Sequence, residues 1–116
     1  SQPSRLQSEV ATTLGAMGLS VREEVRSLQG YSLDAVVQMG GCEVAVEVDG
    51  PSHFVGHKPT GSTLLKRRQL RSAGWALVEV PYWEWNALRK EGTGAKERYL
   101  ERKLGEAVGE DSGECR

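Results

Sequence analysis

The stretch Glu43-Val44-Ala45-Val46-Glu47-Val48-Asp49 alternates strictly, with Val44, Val46 and Val48 on one face and Glu43, Ala45, Glu47 and Asp49 on the other. That period of two belongs to a β-strand, because successive side chains of an extended chain point to opposite sides. One face is built for a core, and the other carries two acids at the C-terminal end. Upstream, Tyr31-Ser-Leu-Asp-Ala-Val-Val37 reads as a partner strand with one acid, Asp34, inside it, and Gly40-Gly41 supplies the hairpin turn between the two. Residues 20–27 form a further short strand. Before it, Leu6, Val10, Leu14 and Met17 recur at helical spacing over residues 5–17, and Gly18 ends that helix.

On the other side, residues 50–61 hold three glycines and two prolines and form a loop. A helix follows over 62–73, capped by Ser62 or Thr63 and ended by Gly74. Trp75-Ala-Leu-Val-Glu-Val80 is a buried strand stopped by Pro81. Residues 82–90 are helical, Glu91 to Gly94 break the chain, and Leu100, Leu104 and Val108 mark a last helix. The order helix, strands, helix, strand, helix gives an α/β domain with a mixed sheet carrying helices.

At 116 residues there is room for one such domain, over residues 1–108, with a polar tail at 109–116 expected to be disordered. The chain begins at Ser1, and the expectation is a piece of a longer protein. No run approaches the roughly 18 apolar residues of a membrane span, so no membrane partner is expected. Cys42 and Cys115 are too few for a disulfide framework or a zinc site. The net charge of −1 gives no general attraction to nucleic acid, but its distribution does more. Residues 56–78 carry Lys58, Lys66, Arg67, Arg68 and Arg71 and no acid, a local cationic patch suited to phosphates.

Three carboxylates, Asp34, Glu47 and Asp49, meet at the end of two neighbouring strands. Such a group needs a cation or a basic group to join it, and a hard divalent ion such as Mg²⁺ suits it. The bland alternative leaves Glu47 and Asp49 in solvent and pairs Asp34 with a nearby base. His53, in the loop, is a candidate ligand, proton donor or phosphate contact, or simply holds the turn. On a helical wheel Leu65, Lys66, Gln69, Leu70 and Ala73 share one arc and Leu64, Arg67, Arg68 and Arg71 the other. Lys66 therefore lies beside the buried stripe and wants a carboxylate, while the three arginines form an outward ridge. Tyr82-Trp-Glu-Trp85 offers two tryptophans, which can stack bases or pack inward; core packing is expected of at least one.

Together these residues resemble a RAP domain: Tyr31-Ser-Leu-Asp34, Val46-Glu-Val-Asp-Gly-Pro-Ser-His-Phe54, Thr60 to Arg71, Gly74-Trp75 and Val80-Pro-Tyr-Trp-Glu-Trp85. The likeness covers about residues 28–88. It implies a C-terminal module of larger organellar RNA-binding proteins, such as the FAST kinase family of mitochondria and the octotricopeptide-repeat proteins. The implied setting is a mitochondrion, or else a chloroplast, with helical repeats preceding the domain and roles in RNA processing, stability or ribosomal RNA maturation. The implied ligand is single-stranded RNA or an RNA end.

RAP domains are in turn similar to PD-(D/E)XK nucleases of the very-short-patch-repair type, which implies a restriction-endonuclease-like fold with a central mixed four-stranded sheet flanked by helices. Carried over, Asp34 and Glu47 match the two acids of that motif. Asp49 stands where its catalytic lysine would be, with Lys66 and His53 as stand-ins. Three readings follow. The first is an RNA-binding module using Lys58, Lys66, Arg67, Arg68 and Arg71. The second is an Mg²⁺-dependent endoribonuclease, with Asp34, Glu47 and Asp49 on the metal and His53 and Lys66 assisting. The third is a protein-docking domain in ribosome assembly.

Overall fold

The apolar face of the 43–49 strand needs a covering layer, and the computed structural model, which describes residues 4–110, has one on each face. The chain runs α1 (Arg5–Ala16), β1 (Val21–Arg26), β2 (Ser32–Met39), β3 (Cys42–Asp49), a short hairpin of β4 (Phe54–Val55) and β5 (Lys58–Pro59), α2 (Gly61–Ser72), β6 (Ala76–Pro81), α3 (Tyr82–Ala87) and α4 (Ala95–Glu110). The main sheet has the order β1-β2-β3-β6. Its first three strands are antiparallel and β3 pairs with β6 in parallel, Glu47 beside Glu79. The expected mixed four-stranded sheet flanked by helices is present. No helix among the described residues is long and apolar enough to cross a membrane.

The alternation of β3 divides the core in two. Val44 and Val46 pack with Val10 and Leu14 of α1 and with Tyr99, Leu100 and Leu104 of α4. On the opposite face Ala45 packs with Leu70 of α2, Trp75 and Leu77. Glu47 and Asp49 share that second face, under α2, and are only 4% exposed each. The half-exposed strand end that the bland reading requires is not what forms.

Gly40 and Gly41 both have positive φ (58° and 81°), the backbone a two-residue β2–β3 hairpin requires and glycine adopts without strain. Several local expectations shift. The cap of α2 is Thr60, whose hydroxyl accepts from the Thr63 amide, because the helix begins at Gly61. The loop 50–61 contains a short 3₁₀ turn and the β4–β5 hairpin. Helix α3 ends at Ala87 and continues as a 3₁₀ turn to Glu91. The last helix runs through Glu110, and residues 111–116, where a tail is expected, lie outside the described residues.

Candidate functional site

The site begins where the β2–β3 ladder stops. Regular pairing extends from Met39↔Cys42 to Ala35↔Val46 and goes no further. Beyond it the strands part, and side chains take the place of backbone partners. The Asp34 amide donates to Glu47 Oε2 at 3.0 Å, and the Val48 amide donates to Asp34 Oδ2 at 2.7 Å. Two amides that would otherwise be orphaned thus end on carboxylates. The splay follows from a change of side in β2: Ala35 and Val37 face α1 and α4, whereas Leu33 packs on the α2 side with Val36. The neighbouring strand makes the same change at Glu24, which has φ 55°, so that Val21 and Val25 serve opposite layers.

Helix α2 answers these acids with cations. Lys66 Nζ lies 2.5 Å from Glu47 Oε1 and donates to the Ser32 carbonyl at 2.9 Å. Arg67 Nη2 is 2.8 Å from Asp49 Oδ2, and its Nε is 3.6 Å from Glu79 Oε2. Arg71 Nη2 reaches the same Glu79 oxygen at 2.9 Å. His53 Nδ1 stands 3.7 Å from Asp49 Oδ1 and 3.3 Å from the Thr63 hydroxyl, joining the loop to the first turn of α2.

The outward ridge of three arginines is therefore corrected. Arg67 is turned in, its side chain only 13% exposed, while Leu64 and Leu65 lie out at 47% and 45%. The buried stripe of α2 is turned toward Thr63 and Arg67, because carboxylates under the helix draw the guanidinium more strongly than the core draws Leu65. Arg68 is exposed and has no ion-pair partner among the described residues, and Lys58 is exposed on the hairpin. Glu79 is a member that sequence reading missed. Its signal was an acid inside an otherwise apolar strand, and parallel pairing sets it beside Glu47.

Burial dominates the electrostatics. It pushes the Glu47 carboxyl up to about 7, with the neighbouring Asp34 charge adding to the rise and Lys66 opposing it. Asp34 is also raised by burial, held back by the Val48 amide and Lys66. These are the marks of carboxylates held out of water and close to one another.

The fit to a divalent ion can be tested on the donors. Glu47 has one oxygen on Lys66 and the other on the Asp34 amide; Asp49 has one on Arg67 and the other facing His53; Asp34 has one on the Val48 amide. Among the described residues no three His, Cys, Asp or Glu side chains form a metal-ligand set. The donor set as arranged does not fit Mg²⁺, which would have to displace Lys66 and Arg67.

Beside the acids lies a ring cluster. Phe54 meets Trp83 edge-on at 4.5 Å, Tyr82 meets it at 5.5 Å, and His57 lies flat against it at 3.9 Å and 3°. Trp85 is the buried tryptophan of the pair, at 1% exposure, with its indole N–H on Glu9.

With this geometry in place, comparison with known proteins gives a consistent result. The sequence matches the RAP domain over residues 46–103, from the middle of β3 into α4. A chloroplastic RAP domain-containing protein of Oryza sativa subsp. japonica is 39% identical over 104 residues, 88% of this chain and 16% of that protein. The mitochondrial FAST kinase domain-containing protein 5 of Homo sapiens is 28% identical over 107 residues, 89% of this chain and 14% of that protein. The same-named protein of Macaca fascicularis matches to the same extent. The chain thus spans about a sixth or less of the length of these relatives. Their names place them in the two organelles the sequence led us to expect.

Proposed function

This chain belongs to the RAP domain family, and from that premise we propose that it is an RNA-binding module of a larger organellar protein. The observation that carries the reading is the groove between α2 and the edge strand β6. Leu64, Arg67, Arg68, Arg71, Ser72 and Glu79 line about 560 Å³; Arg67 and Arg71 are held there by Asp49 and Glu79, and Arg68 has no ion-pair partner among the described residues. A guanidinium offers a planar fork of donors that matches phosphate oxygens, and the exposed Leu64 offers apolar contact to a sugar or base. The buried acids have a supporting task in this reading: they hold Lys66 and Arg67 and so fix the register of α2. The organelle names of the relatives extend to the chain as placement in a mitochondrion or chloroplast. Helical repeats would precede it in the same protein, whose role would be RNA processing, stability or ribosomal RNA maturation.

Binding of a short single-stranded RNA, measured across a salt series, tests this. Log affinity should fall linearly with log salt, and Arg68→Glu should weaken binding and flatten that line. Salt-independent binding, or no binding, would sink the reading.

A second reading, endoribonuclease cleavage, is favoured by one observation: Lys66 touches Glu47 beside Asp34, an acid–acid–lysine group of the kind used in PD-(D/E)XK sites. It requires the ion pairs around Asp49 and Glu47 to open and admit a metal. Cleavage of RNA that depends on Mg²⁺ and is lost in Asp34→Asn would establish it over binding alone.

A further inference from the structure

The cleft between α3 and α4 lies on the opposite side of β6 from the α2 groove, and nothing so far accounts for it. It encloses about 630 Å³, room for a nucleotide, and Trp83, Tyr99, Arg98, Arg102 and Lys103 are among its walls. We propose that this cleft is a nucleotide subsite, in which Trp83 stacks a base of single-stranded RNA and Arg98 and Arg102 meet its phosphates.

The first argument is the state of the tryptophan. Trp85, two residues on, is fully packed, but Trp83 is only half-buried: His57 covers one face, Phe54 and Tyr82 meet the ring at steep angles, and the indole still lines the cleft, where none of these three rings does. A braced ring loses little freedom when a base stacks on it, which is what makes an aromatic platform effective.

The second argument is charge. On the cleft wall Glu84 is satisfied: it accepts from the Tyr99 hydroxyl at 2.7 Å and lies 3.6 Å from Lys103. Burial and Glu84 both raise the pKa of the Tyr99 phenol, keeping it a donor. Among the described residues the Arg98 guanidinium has one hydrogen-bond partner, the Thr93 carbonyl at 3.4 Å; Arg102 lies over the Tyr99 ring at 5.6 Å and pairs with Glu106 at 3.6 Å, where both are more than half exposed. An exposed pair of this kind contributes little and gives way readily to a phosphate. Glu91 is the remaining acid of the wall.

The third argument is continuity. Glu79 of β6, the open edge strand, takes Arg67 and Arg71 on its side chain and Lys103 on its backbone carbonyl at 2.9 Å. The two basic surfaces therefore meet at one residue, and a flexible single strand can cross the sheet edge from one to the other.

The subsite rests on the RNA-binding reading, and the test separates the two. Affinity would be measured for a short single-stranded RNA and for a sugar-phosphate chain of equal length without bases. The unaltered protein should prefer the RNA, and Trp83→Leu should bind RNA roughly tenfold more weakly while binding the baseless chain unchanged. Trp83→Phe should recover most of the loss. RNA carrying 4-thiouridine should cross-link to α3 or α4. Equal affinity of the unaltered protein for both ligands would overturn the subsite and leave phosphate binding standing. Equal loss on both ligands, or cross-links confined to α2, would overturn it too. Failure to bind either ligand would overturn the underlying reading and the subsite together.

Discussion

Lys66 Nζ and Glu47 Oε1 stand 2.5 Å apart across the α2–β3 interface, and the same ammonium bonds the Ser32 carbonyl. Removing the lysine leaves a carboxylate that is 4% exposed with Asp34 as its charged neighbour. Lys66→Met should destabilise the fold by about 2 kcal/mol at pH 8, below the 3–5 kcal/mol typical of fully buried pairs because Lys66 keeps some contact with water. The loss should shrink toward pH 5, where Glu47 can take a proton instead. Urea unfolding at both pH values checks this; a variant as stable as the parent at pH 8 would contradict it.

Stability should fall as pH rises through neutrality. The Glu47 carboxyl is raised in the folded state from 4.5 to about 7, so between those values the folded chain binds more protons than the unfolded one. By linkage its stabilising contribution is full below about pH 4.5 and gone above about 7, a difference of roughly 3 kcal/mol. Asp34, also raised, acts in the same direction. Glu47→Gln should remove most of this slope while its amide oxygen still accepts from the Asp34 N–H. Parallel slopes for variant and parent would show that Glu47 is not the group responsible.

Adjacent arginines should separate into a structural and a binding residue. Arg67 holds Asp49, which is 4% exposed, so Arg67→Met should lower stability by about 2 kcal/mol. Arg68 has no such contact, and Arg68→Glu should change stability by less than about 0.5 kcal/mol. Its effect should appear in RNA affinity, with the salt slope reduced by about one. If the two substitutions had interchanged effects, the inward turn of α2 would be wrong.

What the sequence made legible was the periodic part. The 43–49 alternation placed the valines on one layer and Glu47 and Asp49 on the other, and the demand of Lys66 for a carboxylate followed from its place beside the stripe. Two things were not legible. Leu65 and Arg67 compete for the same interface, and a wheel that scores apolarity alone awards it to Leu65; only the presence of Asp49 and Glu79 beneath the helix reverses that. The splay at Asp34 is a property of two strands losing their ladder together, which no single-strand pattern records. Glu79 was missed for a related reason: its role depends on the parallel register that sets it beside Glu47.

The ion pairs around the buried acids decide how the site should respond to metal. In the parent protein Glu47 and Asp49 are neutralised by Lys66 and Arg67, so an incoming Mg²⁺ must break two close ion pairs as well as shed water. Millimolar Mg²⁺ should therefore leave Tm within about 1 °C of its metal-free value. The double variant Lys66→Met, Arg67→Met removes both cations and leaves Asp34, Glu47, Asp49 and Glu79 with Arg71 on Glu79 and His53 beside Asp49. That chain should be strongly destabilised at pH 8, and Mg²⁺ should now raise its Tm by several degrees, because like charges in a buried cluster make room for a hard cation. Thermal unfolding with and without the ion reads both effects. A clear Mg²⁺ shift in the parent would mean that the ion pairs open readily, and it would move the balance toward cleavage.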